Sequence, residues 1–405
     1  MTKYEKEILQ AQLDLEEKIG RDLKAALRKA LNKTARKVKE LQLSEIREKL
    51  PEAAVFSVPD TSGEPIELPQ QRGQVYQAQY QQEITEYIQE PVQELETETQ
   101  EIVKRSFWEY FALGALATMY LLHRQKTPLV FPIPSSARHI DAAEYASGIK
   151  VTFSGVQVAE SYKYIRNAYR DLQVRTVADI SRHIANGVPY NKIARDMASN
   201  MNVTPFSKAY SKAMMIVRTE GGRIKSEAEY QVQLAAKARG VDIVKQWSAV
   251  LDGRTRDSHR QVDGESREIE ERFTNGLLYP CEAGQAAAEV INCRCVALTR
   301  VRRALNDGFS KMDNFTKEIR EFRAPADYET FKESYWSKEN LAYMRYLDTL
   351  EKRYNTKNFN SLLEQMTDRE YEHFHKLEID SPLWGRKESA RFVLCKRHFS
   401  RSATL

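Results

Sequence analysis

Apolar side chains recur at helical spacing along most of this 405-residue chain, and between Val241 and Val250 the period drops to two. Val241, Ile243, Trp247 and Ala249 lie two or four apart, the spacing of a strand with one buried face. The turn Leu251-Asp252-Gly253-Arg254 comes next, then a short helical stretch from Thr255 to Val262 that stops at Gly264. A second alternating stretch runs from Ala288 to Val301. Two strands so placed are expected to pair antiparallel. Elsewhere the composition favours long helices over a many-stranded sandwich, because 16 glycines and 13 prolines make up about 7% of the chain against a usual sum of about 12%. The expected fold class is mainly α with a small α+β domain. Long N-terminal helices and a central helical region precede a two-stranded antiparallel pair within residues 205–302, and a helical C-terminal extension follows.

Residues 1–50 read as a basic amphipathic helical arm, with Leu23, Leu27, Leu31, Ala35 and Val38 on one face. Between Arg21 and Lys39 the eight basic residues Arg21, Lys24, Arg28, Lys29, Lys33, Arg36, Lys37 and Lys39 stand against Asp22 alone, and Pro51 closes the arm. Such a stripe suits nucleic-acid phosphates or an acidic partner, and equally an ordinary solvated helix face. The net charge of +5 is too small to imply bulk coating of nucleic acid. Pro59, Pro65, Pro69, Gly63 and Gly73 mark 51–74 as a linker. Residues 75–204 form a helical domain. Seven acids between Glu83 and Glu101 complement the basic arm, for pairing within one molecule or between neighbours. The apolar run Phe107–Leu122 is sixteen residues long and broken by Glu109. A spanning helix needs about 20, so a buried core helix is expected and no membrane association. The polar opening Met1–Lys6 predicts no export signal.

Pro128, Pro132 and Pro134 make a second break. Thr176 or Asp179 is expected to cap a short helix that ends near Gly187, and Pro189-Tyr190 to start another with Ile193, Ala194 and Met197 on its apolar side. Lys208 to Arg239 predicts a long helix interrupted at Gly221-Gly222. Residues 303–405 read as helical. Phe331, Tyr335 and Trp336 fall in one helix, Leu341, Tyr343, Met344, Tyr346 and Leu347 in the next, and a basic tail begins at Lys387.

Three of four cysteines, Cys281, Cys293 and Cys295, fall within fifteen residues, unlike a disulfide-dense scaffold. Cys-x-Cys on a strand places both thiols on one face, about 7 Å apart. With His259 and Cys281 they offer a Cys3His set, for which zinc is the candidate ion, although zinc ribbons usually offer Cys-x2-Cys. The plainer alternative is that these are small core residues, with His259 hydrogen-bonded to an acid. Asp257, His259 and Asp263 could orient one another as acid and base. No Gly-x-Ser-x-Gly, His-Glu-x-x-His or phosphate-binding Gly-rich loop accompanies them, so no catalytic residue is assigned. Arg223 and Glu227 form an i, i+4 pair with a folding role.

Taken in order, Arg218-Thr219-Glu220, Trp247, Asp252-Gly253-Arg254-Thr255-Arg256-Asp257-Ser258-His259, Asp263-Gly264, Pro280-Cys281 and Asn292-Cys293-Arg294-Cys295 resemble the head-morphogenesis, or minor capsid, family of tailed phages (Mu F-like, SPP1 gp7-like). The resemblance covers about residues 205–302, and relatives often carry a cysteine where this chain has Arg256. It implies a structural, non-enzymatic virion protein of the capsid interior, acting in procapsid assembly and in DNA packaging or delivery near the portal. Its implied partners are the portal protein and the major capsid or scaffold protein, with phage DNA as a further candidate. Two alternatives stand beside it. One is a metal-dependent hydrolase, nuclease or delivered effector carried on a phage-head domain. The other is a plain nucleic-acid-binding module using the 21–39 stripe and Arg254, Arg256, Arg294, Arg300, Arg302 and Arg303.

Overall fold

A computed structural model describes residues 3–40, 57–59, 65–67, 69–133, 155–186, 188, 190–199, 205–250, 254–302, 310–312, 319–321 and 327–384. In chain order it contains α1 (Lys3–Glu40), β1 (Ser57–Pro59), β2 (Pro65–Glu67), α2 (Pro69–Arg124), α3 (Gly155–Ala185), α4 (Tyr190–Ser199) and α5 (Pro205–Ala238). Then come β3 (Ile243–Ser248), α6 (Asp257–Gln261), β4 (Ser266–Arg267), α7 (Ala287–Val290), β5 (Val296–Val301), β6 (Ser310–Met312) and β7 (Ile319–Glu321). Helices α8 (Tyr328–Tyr335), α9 (Lys338–Arg353), α10 (Phe359–Gln365) and α11 (Asp368–Asp380) close the described chain. The turn Leu251-Asp252-Gly253, Arg303 and the basic tail from Lys387 lie outside the described residues.

Packing groups these elements into two compact units, one of residues 1–16, 106–155 and 217–405, the other of 17–105 and 156–216. In the second unit Leu23, Leu27, Leu31 and Val38 are buried, because their spacing puts them on one side of α1. Val38 joins Ile84, Ile88, Val177, Ile180 and Ile193 in one apolar cluster. Above that seam the basic and acidic stretches meet within the molecule. Lys29 pairs with Glu98 at 3.0 Å, Lys33 with Glu94 at 2.7 Å, Lys37 with Glu90 at 3.2 Å, and Arg105 with Asp22. One residue number rises as the other falls, the register of two antiparallel helices. Helix α3 is continuous through Thr176, which is buried mid-helix and caps nothing. The expected short helix gives way because Val177 and Ile180 keep the apolar periodicity running.

In the first unit the apolar run of α2 is core. Phe107, Tyr110, Phe111, Leu116, Tyr120 and Leu122 are buried, and no helix among the described residues is long and apolar enough to cross a membrane. Helix α5 passes through Gly221-Gly222 without interruption. These glycines serve packing: a methyl group on Gly221 would meet the Tyr110 ring at 2.4 Å, and one on Gly114 of α2 would meet the Lys225 carbonyl oxygen at 2.3 Å. Backbone so close cannot yield as a flexible side chain does. Gly114→Ala is therefore expected to cost about 1–3 kcal/mol, the range for overpacking a filled core, read as a lowered urea midpoint.

Besides a separate two-stranded sheet in which β6 pairs with β7, this unit has a larger sheet of three strands in the order β4-β3-β5, all antiparallel. The expected pair is its centre and one edge, with Trp247 opposite Ala297. The third strand, two residues long, follows from the chain returning to β3 after α6: the Gly264 amide donates to the Trp247 carbonyl and the Trp247 amide to the Glu265 carbonyl, both at 2.9 Å. C-terminal helices α8 and α9 carry the aromatic residues expected of them, Trp336 standing at the α8 C-cap. Tyr335 fixes the proline-interrupted segment after α2, donating to the Phe131 carbonyl at 2.7 Å and accepting from the Ile133 amide at 3.1 Å.

Candidate metal centre

Strand β3 alternates burial with Ile243, Lys245 and Trp247 inward. The Trp247 indole, fully buried, stands edge-on to the His259 imidazole with ring centroids 5.2 Å apart, and to Phe273 at 5.1 Å. Val262, Leu277, Cys281, Cys293 and Cys295 complete this cluster. His259 comes from α6, whose single turn is just long enough to aim the ring at β3.

The Cys-x-Cys pair sits differently from expectation. Strand β5 begins at Val296, and both thiols precede it on the turn after α7. Asn292 has φ +55°, which bends the chain and denies the strand its first residues. Of the Arg-Thr-Glu motif of α5, Thr219 reaches that turn while its neighbours pair elsewhere. Thr219 Oγ1 accepts from the Asn292 amide at 3.3 Å, Arg218 pairs with Glu16 at 3.0 Å, and Glu220 with Arg223 at 2.9 Å. Arg223 also meets Glu227 at 3.3 Å, the folding pair expected.

His259 Nδ1 lies 3.6 Å from Cys293 Sγ and 3.4 Å from Cys295 Sγ, and the three ligand atoms all fall within 4.8 Å of one another. All three residues are buried. Zinc bonds of about 2.3 Å to sulfur and about 2.0–2.1 Å to nitrogen subtend a tetrahedral edge of about 3.5 Å, so these separations fit that ion. The second nitrogen, Nε2, is 3.0 Å from Glu289 Oε2, which also accepts from Ser258 Oγ at 2.9 Å. A carboxylate on the far nitrogen is the usual device for orienting a ligating histidine. Cys281 lies outside the set of three. Buried at φ +60°, it donates toward the Cys293 carbonyl at 3.7 Å.

Electrostatics single out Cys293. Its thiol is pushed far below the ordinary range by hydrogen bonds from the Cys281 and Cys295 thiols and then from His259, against the cost of burial. Cys281 and Cys295 are pushed up, first by that neighbouring thiolate and then by burial. For His259 burial works against the charged ring, but Cys293 and Glu289 outweigh it and the net shift is upward. Trp247 Nε1 has no acceptor in hydrogen-bonding geometry among the described residues, yet it lies close enough to Cys295 to favour the thiolate.

Two residues of the site were absent from the sequence reading. Glu289, not Asp257 or Asp263, orients His259. Asp257 is exposed, and Asp263 Oδ1 accepts from the Ala249 amide at 2.8 Å, which staples a turn. Lys245 is fully buried and donates to the carbonyls of Ile269 at 2.7 Å and Leu278 at 2.8 Å. It thereby ties the loop that carries Cys281 to β3. Burial pushes its amine down to about 8. Its place two residues before Trp247 on the inward side was the available signal.

The basic stripe is divided by its surroundings. Lys29, Lys33 and Lys37 are in the ion pairs described, Arg21 pairs with Glu17 at 2.7 Å, and Lys24 lies over the Tyr210 ring at 5.3 Å. Arg28, Arg36 and Lys39 are exposed and make no ion pair among the described residues.

Residues 175–298 match the family model described as Phage Mu protein F like protein. The chain is 32% identical over 163 residues to a protein of Enterococcus faecalis (strain ATCC 700802 / V583) named NAD(+)--arginine ADP-ribosyltransferase EFV, covering 38% of this chain and 31% of that one. It is 30% identical over 155 residues to Minor head protein GP7 of Bacillus phage SPP1, covering 35% of this chain and 48% of the relative. The chain thus spans less than half the length of either relative. No solved structure matches it.

Proposed function

We propose, on the match of residues 175–298 to the Phage Mu protein F like family model, that this chain is a minor head protein of a tailed phage, a structural component of head morphogenesis. The observation that carries the reading is that the matched segment contains β3, α6 and the Cys-x-Cys turn, so the family likeness and the buried cluster coincide. Likeness to the SPP1 minor head protein supports the same role. In this reading the chain resides in the capsid interior, contacts the portal and the coat or scaffold, and acts in procapsid assembly and in DNA packaging or delivery.

The cluster would hold one zinc ion through His259, Cys293 and Cys295, and the neighbouring Cys281, whose thiol now faces the Cys293 carbonyl, would turn to supply the fourth ligand. The ion would be structural. It would bind α6, the loop before α7 and the turn before β5 to one another, in a small core that Trp247, Val262, Phe273 and Leu277 otherwise fill.

Mass spectrometry of phage heads banded on a density gradient tests the role. The chain is expected in the head band, at a copy number well below that of the coat protein. Recovery only in the soluble fraction would overturn the assignment. The relative named as an ADP-ribosyltransferase favours a second reading, an effector carried on a phage-head domain. Incubation of the purified chain with NAD+ and a small guanidino acceptor separates the two. Nicotinamide release coupled to acceptor labelling supports the effector, and its absence supports the structural role.

A further inference from the structure

We propose that the solvent face of α1 between Arg21 and Lys39 is a docking surface for the phosphate backbone of duplex DNA. The inference rests on the geometry of one helix and stands independently of the virion role. At about 100° per residue, Arg21, Arg28, Asn32, Arg36 and Lys39 fall within an arc of about 80°. That arc is opposite the buried line of Leu23, Leu27, Leu31 and Val38. Lys33 and Lys37 fall to one side of it, toward α2, where the acids of α2 neutralise them. Seven of the eight basic residues therefore form two rows with different chemistry, and Lys24 stands apart over the Tyr210 ring. Lysines occupy the row that is already paired, and arginines dominate the row left to solvent.

That division points to the ligand. A guanidinium offers a planar fork that matches phosphate oxygens in pairs, whereas an ammonium is a point charge. The outer row runs from Arg21 to Lys39, about 27 Å of helix, the length of about eight base pairs. Within it Ala25 and Asn32 supply no aromatic or large apolar anchor, and protein interfaces usually draw their energy from such anchors. At one end Arg21 pairs with Glu17 at 2.7 Å. A straight, exposed, arginine-rich row without apolar anchors fits a partner recognised by charge alone.

Fluorescence anisotropy with a labelled 20-base-pair duplex, titrated at several salt concentrations against the full chain, tests this. Two variants carry the same change in net charge: Arg28→Gln with Arg36→Gln in the outer row, and Lys33→Gln with Lys37→Gln in the paired row. The outer variant should bind about 30- to 100-fold more weakly at 0.1 M salt, and its salt slope should be shallower by about 2. The inner variant should keep the wild-type slope to within about 0.5. Circular dichroism should show both folded, since the outer positions are exposed. An equal loss in the two variants would assign binding to net charge and overturn the proposal. So would a wild-type chain that ignores the duplex, or one displaced as readily by polyglutamate as by unlabelled DNA, the behaviour of a site for acidic protein.

Discussion

His259→Ala should leave the purified chain without zinc and lower its melting temperature by about 8–16 °C. The wild-type chain, prepared without chelator, should carry one equivalent by atomic emission. The magnitude comes from linkage: an ion that binds only the folded state, present a thousandfold above its dissociation constant, stabilises by about 4 kcal/mol. A unit of this size shifts by about 2–4 °C for each kcal/mol. Cys295→Ala should behave alike, because its sulfur is 3.4 Å from the same nitrogen. Cys281→Ser addresses the fourth position. If Cys281 completes the set, zinc affinity measured by competition with a chromogenic chelator should fall at least about 100-fold. Unchanged affinity would reduce the set to three residues. Wild-type protein that holds no metal and melts identically with and without chelator would sink the proposed centre.

Trp247→Ala should cost about 3–5 kcal/mol, seen as a large drop in the urea midpoint. The indole is fully buried and fills the space between β3, α6 and the loop of Phe273 and Leu277. Removing it leaves the His259 and Phe273 rings without the surface they stand against, 5.2 and 5.1 Å away. Trp247→Phe keeps much of that surface and should cost markedly less. A Trp247→Ala variant as stable as wild type would mean that this cluster is not a core. The two predictions also separate metal from packing. His259→Ala should be insensitive to chelator, whereas Trp247→Phe should retain its zinc and its response to chelation.

The strand pair was legible because one stretch of the chain broke the helical period, and β3 and β5 lie where it did so. The alternation of Ala288–Val301 began too early, since apolar spacing alone cannot register that Asn292 takes a left-handed bend. Helix interruptions were expected at Gly221-Gly222 and near Thr176 because glycine and capping residues are local signals. Tertiary contact overrides both, through Tyr110 in one case and Val177 with Ile180 in the other. His259, Cys293 and Cys295 were found from residue type and order, and their grouping is close enough for one ion. Glu289 and Lys245 were missed for opposite reasons. Glu289 lies thirty residues from its histidine, and proximity in sequence favoured the aspartates. Lys245 violates the expectation that charge faces water, and it is stable inside only because two carbonyls receive its amine.

The ion pair between Glu5 and Arg300, at 2.6 Å, joins residues 295 positions apart. Tyr120 likewise donates to Glu7 at 2.7 Å across 113 positions. During synthesis at about 5–20 residues per second, the opening turns of α1 emerge roughly 15–60 s before the arginine that will hold them. Tyr120 is available to them earlier, but the pairing of Glu5 must wait for Arg300. The first unit is thus a late event in the life of the nascent chain, completed only after synthesis of its far strand.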